Sequence, residues 1–433
     1  MNHILGLRCL ICGKLYQPHE VIYVCPDHGD DGTLDVEYDY AQIRSQLAAN
    51  PPDWARQGMF AYRPLLPVAE TTAAPPLHIG ATPVYDAPRL AAAAGVAQVW
   101  VKDDGRNPTA SFKDRASAIA VMKAAERGAE IITTASTGNA AAALAGIAAA
   151  TGQKTVIFVP ASAPQAKIAQ LLTYGATVLL VEGSYDDAFE LCLKATHAFG
   201  WYCRNTGYNP YMSEGKKTVT LELYQQLGLE IGDWGLGIGD SSNLQSPISN
   251  NLPTHIFVSV GDGCIIGGVY KGLRDLVGLG LLRQMPKLMG VQAVGSSYLY
   301  EAWRNDEDVV TKAPIAANTR ADSISAGLPR DRIKAMRAIR ETDGAFVQVS
   351  DEAILAAIPK LAQHSGVFAE PAAAAAYAGL LQAAADGQVG PSDRVALLIT
   401  GSGLKDVAAA ITAVSQATTI KPTLAAVEQA LNL

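Results

Sequence analysis

The chain has 433 residues, of which 49% are apolar and only 17% are charged, a composition typical of a folded α/β enzyme and unlike that of a disordered chain. Its formal net charge of −7 gives no general attraction to nucleic acid or to an anionic membrane. The longest apolar runs are too short to cross a bilayer, the first residues lack the features of a signal peptide, and six cysteines over this length argue against a disulfide framework. We therefore expect a cytoplasmic protein whose partners include neither nucleic acid nor membrane.

The first 40 residues contain two short pairs of candidate metal ligands. Cys9 and Cys12 form one pair, Cys25 and His28 form the other, and twelve residues separate the pairs. Two such pairs can close a tetrahedral site of thiolates and imidazole around zinc. We expect residues 1–40 to be a zinc-ribbon-like segment with a structural metal, because four protein ligands leave no open position for catalysis. The alternative is a segment of this kind that has lost its metal.

Alternating strands and helices follow this segment. Short β-branched runs are separated by helical stretches, and this alternation predicts parallel sheets built from βαβ units. The predicted strands are 98–102, 131–134, 155–160, 177–182, 255–260, 287–294 and 395–400, and the predicted helices are 117–127, 140–151, 165–174 and 184–199. The predicted divisions are an N-terminal arm with part of a large domain at 41–103, mainly a small α/β domain at 104–210, and a large α/β domain at 211–433 with an inserted loop at 235–252.

The segment Asn107–Arg115 is the most informative stretch of the chain. It places Lys113 in a rigid and mostly uncharged setting, just ahead of an alanine-rich helical pattern. Desolvation lowers the pKa of a lysine and makes its amine nucleophilic, and the neighbouring Phe112 can shield the amine from water. Thr109 or Ser111 is expected to cap the helix. The segment is interpreted either as the site of an imine-forming lysine or as an ordinary helix start.

Four residues, Ser136, Thr137, Gly138 and Asn139, lie between a predicted strand and a predicted helix. The free N–H groups and the positive dipole end at a helix N-terminus favour a carboxylate. The segment therefore predicts a binding site for the carboxylate of a small molecule. The alternative is that Ser136 or Thr137 merely caps the helix.

A glycine-rich turn, Gly261–Gly268, follows the predicted strand at 255–260. Glycines let the backbone approach an anion closely and fold its N–H groups around it, and the carboxyl end of a parallel strand is where phosphate sites form. The turn predicts a phosphate site, provided that the carboxylate of Asp262 points away from the anion. Cys264 is expected to pack in the interior. On its own, the turn is equally consistent with an ordinary loop.

A fourth motif, Thr400–Asp406, follows the last predicted strand and on its own is a plain strand-to-helix turn. Together, the four motifs resemble those of the pyridoxal-phosphate-dependent enzymes of the tryptophan-synthase-β group (fold type II), and of the threonine synthase-like family in particular. The resemblance extends over about residues 78–410. Further family-like segments are Gly80–Pro83, Lys102–Asp104, Tyr208–Tyr211, Glu214–Thr218, Asp322–Ile324 and Glu370–Ala372.

The resemblance implies two three-layer α/β/α domains with mostly parallel sheets, in addition to the small N-terminal segment. It implies that Lys113 is catalytic and carries pyridoxal 5′-phosphate as an internal aldimine, and that the hydroxyl of Thr400 meets the pyridine nitrogen. The substrate α-carboxylate is expected at Ser136, Thr137, Gly138 and Asn139, and Asn139 is also expected to contact the cofactor's 3′-oxygen. The implied cofactor-binding residues are Phe112, Lys113, Asn139, Gly261, Asp262, Gly263, Cys264, Ile265 and Thr400, with Ser323 and Glu370 nearby.

The implied activity is that of a threonine-synthase-like lyase, which converts the amino acid O-phosphohomoserine into threonine and phosphate. The family has an arginine after its NPY sequence, whereas this chain has Met212, and methionine cannot bind a phosphate as arginine does. The alternative is therefore a β-elimination or β-replacement enzyme, such as a serine/threonine dehydratase or a cysteate-synthase-like enzyme that uses O-phosphoserine. The cations that can compensate for Met212 are Arg106, Lys167, Arg204 and Lys216.

Two further expectations concern the molecule as a whole. A non-catalytic binding protein that has kept the fold is a third functional hypothesis. The family is commonly dimeric, so a homodimer is expected from the resemblance alone.

Overall fold

A computed structural model gives the fold of residues 3–49, 53–228 and 252–432, so positions 235–251 of the predicted inserted loop lie outside the described residues. The strands are β1 (Ile4–Cys9), β2 (Leu15–Tyr16), β3 (Leu34–Tyr38), β4 (Val84–Asp86), β5 (Gln98–Asp103), β6 (Ile131–Ala135), β7 (Lys154–Pro160), β8 (Thr177–Val181), β9 (Tyr202–Cys203), β10 (His255–Ser259), β11 (Lys287–Ala293), β12 (Ala345–Val349) and β13 (Arg394–Ile399). The helices are α1 (Tyr40–Ala49), α2 (Trp54–Gln57), α3 (Pro88–Ala94), α4 (Lys113–Glu126), α5 (Asn139–Thr151), α6 (Gln165–Thr173), α7 (Tyr185–Phe199), α8 (Met212–Lys216), α9 (Thr218–Gln226), α10 (Cys264–Gly278), α11 (Tyr298–Arg304), α12 (Arg332–Glu341), α13 (Asp351–Ser365), α14 (Pro371–Ala385), α15 (Val407–Thr412) and α16 (Leu424–Leu431).

The N-terminal segment is a small antiparallel sheet in the order β2-β1-β3. Its strands bury apolar side chains such as Leu7 and Val36. The carbonyl of Val36 accepts a hydrogen bond from the buried ammonium of Lys271 in α10. The small sheet is therefore packed against the helix that follows the glycine-rich turn.

The large sheet has six strands in the order β12-β11-β10-β13-β5-β4, and only the edge strand β4 runs antiparallel to its neighbour. The carboxyl ends of parallel strands meet at the same edge of a sheet. Because β13 lies between β10 and β5, the segments Asp104–Arg115, Gly261–Gly268 and Thr400–Asp406 are brought to one edge. Three of the four motifs singled out in the sequence are thus assembled by the strand order.

The second sheet contains four parallel strands in the order β8-β7-β6-β9. The fourth motif, Ser136–Asn139, follows β6 and leads into α5. Mostly parallel strands alternating with helices confirm the predicted α/β class. The domain boundaries at residues 40, 103 and 210 remain a prediction. Within the described ranges, no helix has the length and apolar character needed to cross a membrane.

The start of α4 differs from the prediction. The helix begins at Lys113 rather than at residue 117, and neither Thr109 nor Ser111 caps it with a side chain, so the predicted cap is wrong. Instead, a carboxylate oxygen of Asp114 accepts a hydrogen bond from the N–H of Thr109 at 2.7 Å, and the other accepts one from its hydroxyl. The acidic side chain inside the helix closes the preceding loop, which lets the helix start earlier.

Candidate active site

Lys113 is fixed beside the end of β13 by backbone pairing. The N–H of Phe112 donates to the carbonyl of Thr400 at 2.9 Å, and the N–H of Ser402 donates to the carbonyl of Ala110 at 3.1 Å. Ala110 has a φ of +62°, a left-handed conformation that is unfavourable for alanine. Such strain persists where the surroundings over-determine the backbone, and these two hydrogen bonds do so here.

A buried ion-pair network around Arg115 forms the base of the site. Its guanidinium lies 2.6 Å from a carboxylate oxygen of Asp104 and 2.6 Å from one of Glu222, and all three side chains are fully buried. Thr82 donates a further hydrogen bond to Asp104 at 2.6 Å. Burial alone would raise the pKa of Glu222, but Arg115 and Lys102 lower it to about 2. Glu222 therefore stays charged at neutral pH, and its pairing with Arg115 holds the first turn of α4 rigidly.

The surroundings of the Lys113 amine favour its neutral form. Burial lowers its pKa; the thiol of Cys264 opposes this shift, and the guanidinium of Arg204 adds to it. The carboxyl groups of Asp262 and Glu370 also oppose the shift without cancelling it. A lysine with a lowered pKa has a larger fraction of unprotonated, nucleophilic amine at neutral pH.

The loop after β6 faces the large sheet through one side-chain hydrogen bond. Nδ2 of Asn139, the first residue of α5, donates to Oε1 of Glu370 at 2.7 Å, and both side chains are buried. Burial raises the pKa of Glu370 to about 7, although the hydrogen bond from Asn139 acts in the opposite direction. Because α5 begins after Gly138 with no side-chain cap, Ser136 and Thr137 do not serve merely as its caps.

A cleft with about 440 Å³ of empty volume lies between the loops of the large sheet and the loops of the second sheet. Besides the hydrogen bond from Asn139 to Glu370, two further contacts cross it: Lys167 lies 2.5 Å from a carboxylate oxygen of Asp322, and Lys405 donates to Gln170 at 3.1 Å. Lys113 and the glycine-rich turn do not line this cleft, and neither does Ser136. The lining residues are Thr137, Gly138, Asn139, Ala142, Lys167, Gln170, Asp322, Ser323, Glu370, Pro371, Ala372, Lys405 and Asp406.

The glycine-rich turn leads into the N-terminus of α10, whose first residue is Cys264. Gly263 has a φ of +87°, and a Cβ on Gly261 would lie 2.8 Å from the facing backbone, so both positions require glycine. The carboxylate of Asp262 accepts a hydrogen bond from the N–H of Arg330 at 3.2 Å, which gives it a partner outside the turn. Burial raises the pKa of the Cys264 thiol well above its usual value, in keeping with a packing role.

Comparison with known proteins gives the family of the chain. The sequence profile of the family described as pyridoxal-phosphate dependent enzymes matches residues 76–401. The chain belongs to this family. It is 34% identical over 409 residues to a threonine synthase of Methanocaldococcus jannaschii, with 94% of each chain covered. It is also 35% identical over 426 residues to a threonine synthase of Methanosarcina acetivorans, with 98% of each chain covered.

A solved structure supports the same assignment at the level of the fold. The diaminopropionate ammonia lyase of Escherichia coli aligns with a TM-score of 0.63 and 18% identity, covering 86% of this chain and 91% of that chain. The predicted fold type II architecture is thereby confirmed. The chain is a pyridoxal-phosphate-dependent lyase of the threonine synthase-like group.

The residues of the site fit the cofactor of this family. Lys113 supplies an amine with a lowered pKa, and the turn at Gly261–Gly263 presents the N-terminus of a long helix, where backbone N–H groups favour a phosphate.

A separate cluster lies in the N-terminal segment. The ligand atoms of Cys9, Cys12, Cys25 and His28 all lie within 4.8 Å of one another. Three thiols and one imidazole are a donor set typical of tetrahedral zinc. The cluster is therefore compatible with a zinc ribbon, and the two pairs predicted from spacing are brought together.

Two features of the site escaped the sequence analysis. The partnership of Arg115 with Glu222 joins residues 107 positions apart, and the contact of Lys167 with Asp322 joins residues 155 positions apart. The local signal for the first was an acidic residue between two leucines of α9, Leu221 and Leu223, since a buried carboxylate needs a cationic partner. Met212, in turn, is buried in the core.

Proposed function

We propose that the enzyme is a threonine-synthase-like lyase that converts O-phosphohomoserine and water into threonine and phosphate. The observation that carries this proposal is the Lys113 amine, whose pKa is lowered by burial and which the backbone pairing of Phe112 with Thr400 fixes beside the end of β13. The identity with threonine synthases over nearly the full length of the chain supports the same activity.

Each part of the site has a role in this proposal. Pyridoxal phosphate, when bound, supplies an aldehyde that exchanges between amines and a ring that stabilises negative charge at Cα. Lys113 acts as the base that takes a proton from Cα and returns one, because its lowered pKa suits proton transfer near neutral pH. The backbone N–H groups of Ser136–Asn139 hold the substrate carboxylate, and Thr400 and Asn139 orient the ring. The fully buried Phe112 shields the Lys113 amine from bulk water.

A second candidate function is β-elimination or β-replacement on serine, threonine or O-phosphoserine. The observation that favours it is Met212, which occupies the position of the family's arginine and is buried in the core. An enzyme that does not bind a phosphate at the far end of the substrate has no need of that arginine.

Product analysis separates the two candidates. Purified enzyme is incubated with O-phosphohomoserine, O-phosphoserine or threonine, and phosphate, threonine, pyruvate and 2-oxobutyrate are quantified. The proposal expects threonine and phosphate from O-phosphohomoserine. Inertness toward that compound, with an oxo acid formed from another, would replace it with the second candidate. The matched controls are Lys113→Ala, expected to be inactive, and Lys194→Ala, which alters an exposed lysine of α7.

We further propose that the N-terminal cluster holds one structural zinc ion. Four protein ligands close a tetrahedral shell, and binding of a metal to a folded site adds to the stability of the fold. Elemental analysis is expected to find one zinc per chain in the wild type and none after Cys12→Ser. Wild-type protein without bound metal would contradict this assignment.

We propose a cytoplasmic homodimer, on the resemblance to the family. Light scattering of the purified enzyme tests the assembly. A mass of twice the chain is expected, and a monomer at micromolar concentration would contradict it.

A further inference from the structure

Two buried cations beside Lys113 each carry a nitrogen without a partner. Lys216, the last residue of α8, is fully buried, and within residues 3–49, 53–228 and 252–432 its ammonium forms neither a hydrogen bond nor an ion pair. Arg204 donates from Nε to Ser117 at 3.1 Å and from Nη1 to Thr206 at 2.7 Å, but its buried Nη2 has no partner in that same part of the chain. Buried polar groups in native proteins nearly always have a hydrogen-bond partner. Both nitrogens are therefore expected to contact a bound anion.

The two cations lie against the same helix, α4, which begins at Lys113. Arg204 donates to Ser117 of α4 at 3.1 Å, and Gly215, which precedes Lys216, lies against the backbone of Arg115 in α4. The stem of Lys216 is packed against α10, because a Cβ on Gly268 would lie 2.5 Å from the Cβ of Lys216.

Basic side chains crowd this region. Arg204 lowers the pKa of the Lys113 amine, and the carboxyl groups of Asp262 and Glu370 act in the opposite direction without cancelling the effect of burial. The N-terminus of α10 adds further positive potential. Burial is the main reason that the pKa of Lys216 falls to about 7, and Lys113 and Arg204 add to it while Cys264 and Asp331 oppose it. A ligand with negative charge would relieve this repulsion.

The neighbouring lysine, Lys217, has its counter-charges within the protein. Lys217 is also fully buried, but its ammonium lies 2.6 Å from a carboxylate oxygen of Glu214 and 2.7 Å from one of Asp275. Among the described residues, two carboxylates therefore lie within ion-pair distance of Lys217 and none lies within that distance of Lys216. That contrast marks Lys216 as a binding residue, since an ion-paired lysine would serve a purely structural role equally well.

We propose that Lys216 and Arg204 form a binding subsite for a phosphate monoester dianion carried by the substrate, separate from the backbone N–H groups of the glycine-rich turn. The inference rests on the proposed function and deepens it, because it gives the phosphate of the substrate two cationic partners. Phosphate fits better than a carboxylate, since its three free oxygens can accept from the ammonium and the guanidinium together. The cofactor's own phosphate has the same chemistry, and the experiment must separate the two sources.

The test uses Lys216→Met in cofactor-loaded enzyme, with inorganic phosphate as the probe. The wild type is expected to bind phosphate saturably by calorimetry and to gain thermal stability from it. The variant is expected to bind at least about tenfold more weakly, because one charge-assisted contact is lost. Without phosphate, the variant is expected to melt higher than the wild type, since it no longer buries an unpaired charge.

Lys217→Met is the matched control, because it removes an equally buried but ion-paired lysine. This variant is expected to melt lower than the wild type and to keep the response to phosphate. Lys216→Gln provides a second test variant with a polar side chain, and it is expected to lose phosphate binding as well.

Three results would overturn the inference. The first is a wild-type enzyme that shows no response to phosphate, and the second is an unchanged response in both Lys216 variants. The third is loss of affinity for pyridoxal phosphate but not for pyridoxal in Lys216→Met, which would assign the subsite to the cofactor. The proposed function is tested separately, by cofactor loading, which is read from absorbance, and by turnover. An enzyme that loads the cofactor and binds phosphate but does not act on O-phosphohomoserine would refute the proposed activity and would leave the phosphate subsite supported.

Discussion

Arg115 and Glu222 are 107 positions apart in the chain, yet the guanidinium of Arg115 donates to both carboxylate oxygens of Glu222, at 2.6 and 2.7 Å. Both side chains are fully buried, and Asp104 and Lys102 complete the network. Bidentate pairing of this kind fixes geometry as well as charge. It therefore holds the first turn of α4, and with it Lys113, against the large sheet.

Breaking this pair is expected to destabilise the fold strongly. Glu222→Gln leaves the charge of Arg115 short of a partner in the interior, and removing one member of a buried ion pair typically costs about 3–5 kcal/mol. Glu130→Gln is the control, because Glu130 and Lys154 form a pair whose side chains are mostly exposed, and exposed pairs contribute less than about 1 kcal/mol. Urea unfolding of the two variants measures the difference, and equal losses would contradict the structural role.

The same carboxylate predicts sensitivity to acid. The pKa of Glu222 is lowered from 4.5 to about 2 in the folded chain. A depressed pKa contributes stability that is fully present above the unfolded value and is lost as the pH falls through the folded one. The free energy of unfolding should therefore decrease from about pH 5 toward about pH 2, and less steeply in Glu222→Gln. Parallel pH profiles for the two proteins would rule out this assignment.

Glu370 predicts the opposite dependence on pH. Its folded pKa is raised from 4.5 to about 7 by burial, so the folded state binds the proton more tightly than the unfolded state does. Stability from this group is present below its unfolded pKa and is lost as the pH rises toward 7. Glu370→Gln should remove that loss. As the pH rises from about 4 to about 8, the free energy of unfolding of the variant should exceed that of the wild type by an amount that grows to on the order of 3 kcal/mol. Unfolding of cofactor-free protein across this range measures it, and a constant difference between the two proteins would contradict it.

Asp35 ties the N-terminal segment to the helices behind the glycine-rich turn. Its carboxylate lies 3.7 Å from Lys271, 3.4 Å from Arg274 and 3.9 Å from Lys334. Asp35→Asn leaves these cations without their buried counter-charge, and we expect a loss of about 3 kcal/mol together with faster proteolytic release of the segment. Asp306→Asn, at an exposed carboxylate, is the control and should change neither. Unaltered proteolysis in Asp35→Asn would show that the segment is held by other contacts.

The sequence was sufficient for features that depend on local patterns. Strands and helices from residue 98 onward alternate in a regular way, so the parallel class could be predicted. The two pairs Cys9–Cys12 and Cys25–His28 were predicted to meet from their spacing alone, and their ligand atoms do lie together.

Features that depend on distant contacts could not be predicted in this way. The helix containing Lys113 starts earlier than expected because the side chain of Asp114 accepts a hydrogen bond from Thr109. Helix propensity alone does not predict such a contact between a side chain and the backbone. The isolation of Lys216 beside the paired Lys217 arises from where Glu214 and Asp275 come to lie. Only the assembled fold shows which of two adjacent lysines lacks a partner.

The most direct test of the account is the site of covalent attachment of the cofactor. Purified enzyme loaded with pyridoxal phosphate is reduced with borohydride, digested and sequenced by mass spectrometry. The account predicts a pyridoxyl group on Lys113, and its absence in Lys113→Ala with the fold retained. A pyridoxyl group on another lysine, such as Lys216, or on none, would contradict the central claim.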